Sequence, residues 1–262
     1  MAMTRSQLLV STGSTTSERQ PGSPRYSLLV AYDNDEVHAA QRLRHQVFAE
    51  EMGATLHTER PGHDVDRFDA FCDHLVVRDD DTGEIVGTYR MLPPDRAVRA
   101  GGLYADTEFD LGAFEDLRPG LVETGRSCVH PAHRSGAVVG LVWAGIARYM
   151  LLSGHRYLAG CASVPLADGG TLAAGVWDLV RRKHYAPAGL RVTPRRPWAD
   201  GDAVRPVTPA LPPLLRGYVR LGAQVCGPPA HDPDFGVADL LVLLDMERID
   251  QRYLRFFLGG RA

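Results

Sequence analysis

A carboxylate and a guanidinium, Glu123 and Arg126, stand three residues apart in the segment 122–129. Side chains alternate along a regular strand, so this spacing would turn them to opposite sides. Gly125, between them, predicts a β-bulge that turns both to one side and frees a backbone N–H. Acyl transfer to an amine needs such groups: a base for the ammonium proton and a donor for the developing oxyanion. The alternative is an ordinary Glu–Arg ion pair that holds two strands together.

Three carboxylates fall within six positions upstream of that segment, at Asp64, Asp66 and Asp69. They could collect a cationic group or neutralise two arginines, Arg44 and Arg90. An acidic run is also typical of a solvated surface. The interpretation as a charge-binding cluster is strengthened by Arg44, which lies in the apolar stripe of a predicted helix. A guanidinium that faces a core needs an anion. The alternative is a snorkelling arginine at the helix end.

Residues 129–137 connect the strand of Glu123 with a long apolar helix. Free N–H groups and the positive dipole end at a helix N-terminus suit a phosphate, so we predict that a phosphopantetheine or CoA pyrophosphate binds here. His130 and His133 have no third ligand at suitable spacing, and we predict no metal site. The residues assigned to the acyl-carrier site are Ser127, Val129, Arg134, Ser135 and Gly136.

A basic segment, residues 181–196, ends one predicted helix and continues into a loop rich in Pro and Arg. A solvated helix end accounts for it, because Lys and Arg favour helix C-termini. A docking face for an acidic carrier protein is the second interpretation. Cys128 and Cys161 fall on predicted strands, so we interpret them as small buried residues and not as nucleophiles.

The elements that must position these groups alternate along the chain. The sequence predicts the order strand, helix, hairpin, strand, helix, strand, helix, strand, with the hairpin turn at 79–83. This order predicts an α/β (α+β) fold with a mixed central sheet and helices on both faces. A length of 262 residues with 44% hydrophobic residues is sufficient for one large domain, which we place at 25–262. Residues 1–24, rich in Ser, Thr, Gly and Pro, predict a disordered N-terminal arm.

Composition excludes several function classes. A formal net charge of −3 provides no general attraction for nucleic acid. Four cysteines without close pairs indicate reduced thiols, and the N-terminal residues contain no secretory apolar core. The most apolar stretch, 136–152, contains Arg148 and is short for a membrane span, so we predict a buried core helix. We expect a cytoplasmic protein, and peripheral contact with the inner membrane face stays open.

Several blocks of sequence, in the same order, resemble the GNAT-related L-ornithine N-acyltransferases of ornithine-lipid synthesis, which depend on acyl carrier protein. The blocks are RHQVFAEE, DVDRFD, VGTYRML, ETGRSCVHPAHR, RYLAGCAS, LLRGYVRLGAQV and DFGVADLLVLL, which span from about residue 25 to the C-terminus. The resemblance implies the GNAT fold with a splayed strand pair. It also implies transfer of a long-chain acyl group, 3-hydroxy chains included, from acyl carrier protein or acyl-CoA to the α-amine of ornithine or a related amino acid.

The same positions are similar to those of the acyl-homoserine-lactone synthases, a sister group. That similarity implies that Glu123 is the base, and that the acceptor pocket is lined by Arg44, Phe48, Asp66, Asp69, Arg90, Glu123 and Arg126. The tryptophan that those synthases carry shortly after the Phe is absent, which weakens S-adenosylmethionine as acceptor. Arg134 is followed by SGAVVG instead of a glycine-rich loop, which favours a carrier-protein phosphopantetheine over free acetyl-CoA.

The acyl thioester is therefore expected as a cosubstrate, with no permanently bound cofactor. Two alternatives stay open. One is an autoinducer synthase that uses S-adenosylmethionine. The other is a non-catalytic acyl-carrier or lipid-binding module that has kept the fold and lost turnover.

Overall fold

The computed structural model describes residues 6–12, 25–134, 136–199, 201, 203–206 and 209–252. The strands are β1 (Gln7–Ser11), β2 (Tyr26–Val30), β3 (Asp73–Asp79), β4 (Ile85–Leu92), β5 (Phe109–Asp110), β6 (Leu121–Val129), β7 (Tyr157–Pro165), β8 (Thr193–Pro194), β9 (Gln224–Val225), β10 (Ala230–Asp232) and β11 (Val237–Asp245). The α-helices are α1 (Asn34–His45), α2 (Pro94–Arg99), α3 (Gly136–Ser153), α4 (Thr171–Lys183) and α5 (Pro213–Leu221).

The chain forms two compact units, and each is assembled from separate stretches of sequence. The first contains Met1–Leu92, Gly125–Gly154 and Gln251–Ala262, and the second contains Pro93–Thr124 and His155–Asp250. The sequence predicted one domain over 25–262. The units subdivide that stretch inside strand β6, where no linker composition marks a boundary.

In the first unit, β1, β2, β3 and β4 form an antiparallel meander in chain order. The predicted hairpin is confirmed, because β3 and β4 pair across the turn after Asp79. The Asp79 carboxylate accepts a hydrogen bond from the N–H of Asp81 at 2.9 Å. Gly83 closes the turn with φ at +79°, a conformation that glycine adopts without steric cost.

Helix α1 begins after Asp33, whose side chain accepts a hydrogen bond from the N–H of Glu36 at 2.9 Å. This N-cap satisfies one of the free N–H groups of the first turn. The helix continues as a π-helical turn, Gln46–Glu51, in which Val47 and Phe48 are buried. The C-terminal half of this helical segment therefore turns Arg44 and Phe48 away from water.

The N-terminal prediction is corrected for part of its length. Residues Gln7–Ser11, predicted to be disordered, form β1 and pair antiparallel with β2. The stretch contains a Leu-Leu-Val run, short but sufficient for a strand once a neighbouring strand offers its edge. Residues 1–5 and 13–24 of the predicted arm lie outside the described residues.

Helix α3 is the apolar helix that the sequence predicted. By length and composition alone it could cross a membrane, but 56% of it is buried within the protein. Gly145 allows close packing on β2, because a Cβ there would lie 2.5 Å from the Leu28 side chain. Burial of this extent supports a core helix. The cytoplasmic location stays a prediction.

In the second unit, the first four residues of β6 pair in parallel with β7, from Leu121↔Tyr157 to Thr124↔Gly160. Strand β7 pairs antiparallel with β11 along its whole length, and β11 also pairs with β9 and β10. This is the mixed sheet that the order of elements predicted. At Gly160, a Cβ would lie 2.4 Å from the carbonyl oxygen of Thr124, so only glycine fits this approach.

Candidate functional site

The carboxylate of Glu123, on β6, lies among polar donors. It accepts hydrogen bonds from the backbone N–H groups of Tyr104 at 2.6 Å and Ala105 at 2.7 Å. Both donors belong to a short 3-10 turn, Tyr104–Thr107, in the second unit. Glu123 is 6% exposed, so these bonds hold a buried carboxylate in one orientation. The Glu123 side chain therefore ends among polar groups and not in packed hydrocarbon.

The backbone irregularity predicted at Gly125 lies one residue later. Arg126 has φ at +52° and is the one non-glycine residue with positive φ in the part of the chain that the structure describes. The left-handed region costs a side-chain-bearing residue about 1–2 kcal/mol, so the surroundings must compensate. The Arg126 guanidinium does form two ion pairs, which supports that compensation.

In the first unit, three arginines and three aspartates form one buried ion network. Arg44 contacts Asp64 at 2.9 Å and Asp69 at 2.8 Å; Arg90 contacts Asp66 at 2.7 Å and Asp69 at 3.4 Å; Arg126 contacts Asp64 at 3.1 Å and Asp66 at 3.4 Å. Each charge has two opposite charges as neighbours, which is the arrangement that offsets the cost of burying ions. The predicted residues Arg44, Asp66, Asp69, Arg90 and Arg126 are thus brought together. Arg44 has no solvent exposure, so the snorkelling alternative was wrong.

Exposure divides this network into a core and a rim. The side chains of Arg44, Asp64, Asp69 and Arg90 are at most 5% exposed, whereas Arg126 is 14% and Asp66 is 20% exposed. A ligand from solvent therefore reaches Arg126 and Asp66 first. The four buried side chains, those of Arg44, Asp64, Asp69 and Arg90, are suited to hold the other two in position.

The arginines of the network favour the ionised form of Asp66. Burial alone would raise the pKa of Asp66, but the positive charges of Arg90 and Arg126 and its hydrogen bonds outweigh burial and lower the pKa. His74 lies beside Asp69, and its Nε2 is 3.1 Å from the Asp69 carbonyl oxygen. Burial lowers the pKa of His74, which favours the neutral imidazole. Asp66 therefore stays a carboxylate, and His74 adds no positive charge beside Asp69.

Two members of the site, Asp64 and Phe68, were not among the residues assigned to the acceptor pocket, although Asp64 belonged to the predicted acidic cluster. Asp64 bridges Arg44 and Arg126, and the ring of Phe68 lies 5.9 Å from the Arg90 guanidinium carbon. Both residues fall in the DVDRFD block, and this block is the sequence feature from which they could have been assigned to the pocket. The predicted Phe48 is buried in the π-helical turn, and its carbonyl accepts a hydrogen bond from the N–H of Ala54 at 2.8 Å.

The predicted acyl-carrier site is only partly described. Ser127 and Val129 are half-buried, while Cys128 between them is buried, as alternation on a strand requires. Gly136 is exposed and begins α3. Ser135 lies outside the described residues. The Arg134 guanidinium forms two 2.6 Å hydrogen bonds with Glu51, so a phosphate here would compete with that carboxylate. The assignment stays a prediction.

The histidines and cysteines have structural partners. His133 Nδ1 lies 2.9 Å from the Tyr26 hydroxyl, and the His130 ring accepts a hydrogen bond from the N–H of Ala132 at 3.3 Å. Burial raises the pKa of the Cys128 thiol to about 12, and burial followed by the nearby Glu108 raises that of Cys161 well above its usual value. Thiols in this state are poor nucleophiles, which supports the packing role predicted for them.

A second acidic cluster, in the second unit, was not predicted. Glu108, Asp232 and Asp239 bring carboxylate oxygens within 4.8 Å of one another, close enough to share a cation. Asp239 also accepts a hydrogen bond from the Ser163 hydroxyl at 2.6 Å. Burial, followed by the charges of Asp239 and Asp232, raises the pKa of Glu108 to about 8. Glu108 is therefore largely protonated at neutral pH.

This shift makes stability depend on pH. The pKa of Glu108 rises from 4.5 in the unfolded chain to about 8 in the folded protein, so the folded state binds the proton more tightly. The resulting stability is fully present below pH 4.5 and is lost as pH rises through 8. We expect a loss on the order of 3 kcal/mol between pH 5 and 9. Glu108→Gln removes the titrating carboxyl at this position. Its free energy of unfolding, measured by urea titration, should therefore change less with pH over this range than that of the wild type. If the unfolding free energy of the variant depended on pH as strongly as that of the wild type, the raised pKa of Glu108 would be contradicted.

Comparison with curated proteins finds relatives over most of the chain. An L-ornithine N(alpha)-acyltransferase of Rhizobium meliloti (strain 1021) is 37% identical over 238 residues, which cover 85% of this chain and 80% of that protein. An L-ornithine N(alpha)-acyltransferase of Rhodobacter capsulatus is 35% identical over 247 residues, 88% of this chain and 94% of that protein. Residues 43–144 match the acetyltransferase (GNAT) domain family.

Solved structures share the fold at low identity. A CoA-dependent acyl-homoserine lactone synthase, BjaI, solved with SAM and isopentyl-CoA, is 17% identical with a TM-score of 0.51, over 87% of this chain and 84% of that chain. FeeM, an N-acyl amino acid synthase from uncultured soil microbes, is 13% identical with a TM-score of 0.52, over 87% of this chain and 94% of that chain. Together with the domain match, these similarities confirm the predicted GNAT fold.

Proposed function

Because this chain belongs to the family of L-ornithine N(alpha)-acyltransferases, it is an acyltransferase, and we propose that it joins a long-chain fatty acyl group to the α-amine of ornithine or a closely related amino acid. The observation that carries this proposal is 34–37% identity to four proteins of that name over 85–89% of this chain. The product would be an N-acyl amino acid, an intermediate of aminolipid synthesis. The donor is an acyl thioester, and we propose that acyl carrier protein presents it.

The acceptor amino acid carries a carboxylate and two amines, so it needs complementary charges. The rim of the ion network offers both signs, a guanidinium at Arg126 and a carboxylate at Asp66. In this proposal Arg126 binds the acceptor carboxylate and Asp66 attracts an ammonium group. Arg44, Arg90, Asp64 and Asp69 position these two residues. Because the orienting contacts are buried ion pairs, the two groups are held before the substrate arrives.

Glu123 is proposed as the base. An α-ammonium group cannot attack a carbonyl until it loses a proton, and Glu123 takes that proton directly or through water. The amine nitrogen then forms a bond to the thioester carbonyl carbon. The carbon–sulfur bond breaks, the pantetheine sulfur leaves as a thiolate that takes up a proton, and the second nitrogen proton is released. The backbone beside Arg126, where the strand departs from regular geometry, is proposed to donate to the oxyanion.

We assign the phosphopantetheine arm to Ser127 and Val129 at the end of β6, Gly136 at the start of α3, and Arg134 and Ser135, which come between these elements in the sequence. The start of α3 supports this assignment, because helix N-termini attract phosphate. The Glu51–Arg134 ion pair is the feature that a bound phosphate would have to rearrange.

The substrates can be tested in one experiment. Purified protein is incubated with hexadecanoyl carrier protein or hexadecanoyl-CoA, together with an equimolar mixture of amino acids and, in a separate arm, S-adenosylmethionine. We expect N-hexadecanoyl ornithine by mass spectrometry, formed faster from the carrier protein. An acyl homoserine lactone in the second arm would identify an autoinducer synthase instead. Absence of any N-acylated product with either donor would indicate the non-catalytic alternative.

A further inference from the structure

Arginine and aromatic side chains form a continuous strip on the second unit, at the C-terminal end of α4. The guanidinium carbon of Arg181 lies 5.7 Å from the centre of the Trp177 ring, and the Trp177 and Tyr185 rings meet edge to face at 5.5 Å. The Arg191 guanidinium covers the Tyr185 ring at 4.4 Å. Stacking of this kind joins the helix end to the loop that follows it. We call Arg181, Arg182, Lys183 and Arg191 the basic strip.

Most of the positive charge of the strip has no acidic partner among the neighbouring residues. Residues 177–196 contain six Lys and Arg but one acidic residue, Asp178, in a chain whose net charge is −3. Asp178 lies 3.5 Å from Arg181 and 3.1 Å from Arg205. The ion pairs found within the described ranges include none from Arg182, Lys183 or Arg191, and these three residues are exposed. Their charge is therefore available to a partner.

The stability of a helix end explains only part of this arrangement. Cations at 181–183 favour the C-terminus of α4 through the helix dipole. Arg191 follows a separate 3-10 turn, Ala188–Leu190, and returns to the same strip. Convergence of cations from two elements is what charge complementarity with a partner would require.

The strip also has a rigid support. The Arg191 Nε donates to the carbonyl of Ala186 at 2.9 Å, and the Ala186 N–H donates to the carbonyl of Val225 at 2.9 Å. Val225 lies on β9, which pairs with the central strand β11. A fixed spacing of charges favours a specific protein partner over diffuse attraction.

We propose that the basic strip docks the acidic carrier protein that delivers the acyl thioester, an inference that rests on the proposed function. Such carriers are small helical domains with negative surfaces, which match exposed cations on a rigid face. An anionic membrane is the other partner that attracts cations. Interfacial binding pairs cations with inserting apolar side chains. The exposed large hydrophobic residues of the described chain all lie outside 177–191, which favours a protein.

Charge reversal in the strip tests this proposal. In R182E/K183E, we expect kcat/KM for hexadecanoyl carrier protein to fall at least tenfold at low ionic strength, mainly through KM, with the loss shrinking as salt is added. The value for hexadecanoyl-CoA should stay within twofold. R191E should reproduce the effect from the second element. The matched control is R148E/R248E, which reverses two exposed arginines outside the strip and keeps the same net charge.

The possible outcomes distinguish a failure of the docking proposal from a failure of the proposed function. If wild-type protein forms no N-acyl product from either donor, the proposed function fails first. If wild type is active and both strip variants use the carrier protein as well as the control does, the docking assignment is wrong. Loss of binding to vesicles of phosphatidylglycerol with unchanged carrier-protein kinetics would also overturn it, and would make the strip a membrane contact.

Discussion

Glu123→Gln is expected to lower kcat by a factor of about 100 to 10,000, which is the usual contribution of a general base. The amide cannot accept the proton of the acceptor ammonium, although its size and shape hardly change. Steady-state kinetics with saturating acyl donor and ornithine would measure the loss. The matched control is Glu115→Gln, which removes a carboxylate that is 66% exposed and paired with Arg118. That variant should retain wild-type kcat.

A structural effect of the same substitution has to be separated from the catalytic one. Glu123 accepts N–H bonds from Tyr104 and Ala105, and a glutamine would turn its own NH2 group toward one of them. The pH dependence distinguishes the two effects. Without a base, the remaining rate should rise with pH as the free-amine fraction of the acceptor grows. A variant that is merely less folded would keep the wild-type profile, and near-normal kcat would exclude Glu123 as the base.

Arg44→Met is expected to destabilise the first unit by about 3–5 kcal/mol. The guanidinium is fully buried and is paired with Asp64 and Asp69, so its removal leaves two buried carboxylates without one of their counter-charges. Chemical denaturation of the purified variant would measure the change in the free energy of unfolding. Asp69→Asn in the same background should recover part of the loss, because it removes one uncompensated charge.

The matched control for this prediction is Arg25→Met. Arg25 forms an ion pair with Asp81 at 2.7 Å, but both side chains are more than half exposed. Exposed pairs contribute about 0–1 kcal/mol, so this variant should remain near wild-type stability. Equal effects of the two substitutions would show that the buried network contributes little to folding.

Some of this fold could be predicted from local patterns. The β3–β4 hairpin carries its turn chemistry in Asp79 and Gly83, and the length and uniform apolarity of α3 indicate a buried helix. Arg44 was predictable as an inward charge because its neighbours at helical spacing are apolar. These features depend on residues close together in sequence.

Other features depend on contacts between distant residues, which periodicity does not report. The strand at Gln7–Ser11 exists because β2 offers an edge, and the left-handed backbone at Arg126 is supported by aspartates 60 and 62 positions earlier. The cluster of Glu108, Asp232 and Asp239 joins positions more than 120 residues apart. Spacing in the sequence gives no signal for such a site.

Strand β1 has a practical consequence for recombinant production of the protein. All five residues of β2 are buried, and β1 covers one edge of that strand. A truncated chain that began at Arg25 would leave the N–H and C=O groups of this edge open to pairing with another molecule, a common route to aggregation. The segment Gln7–Ser11, which a composition-based truncation would remove with the predicted disordered arm, therefore protects the solubility of the sheet.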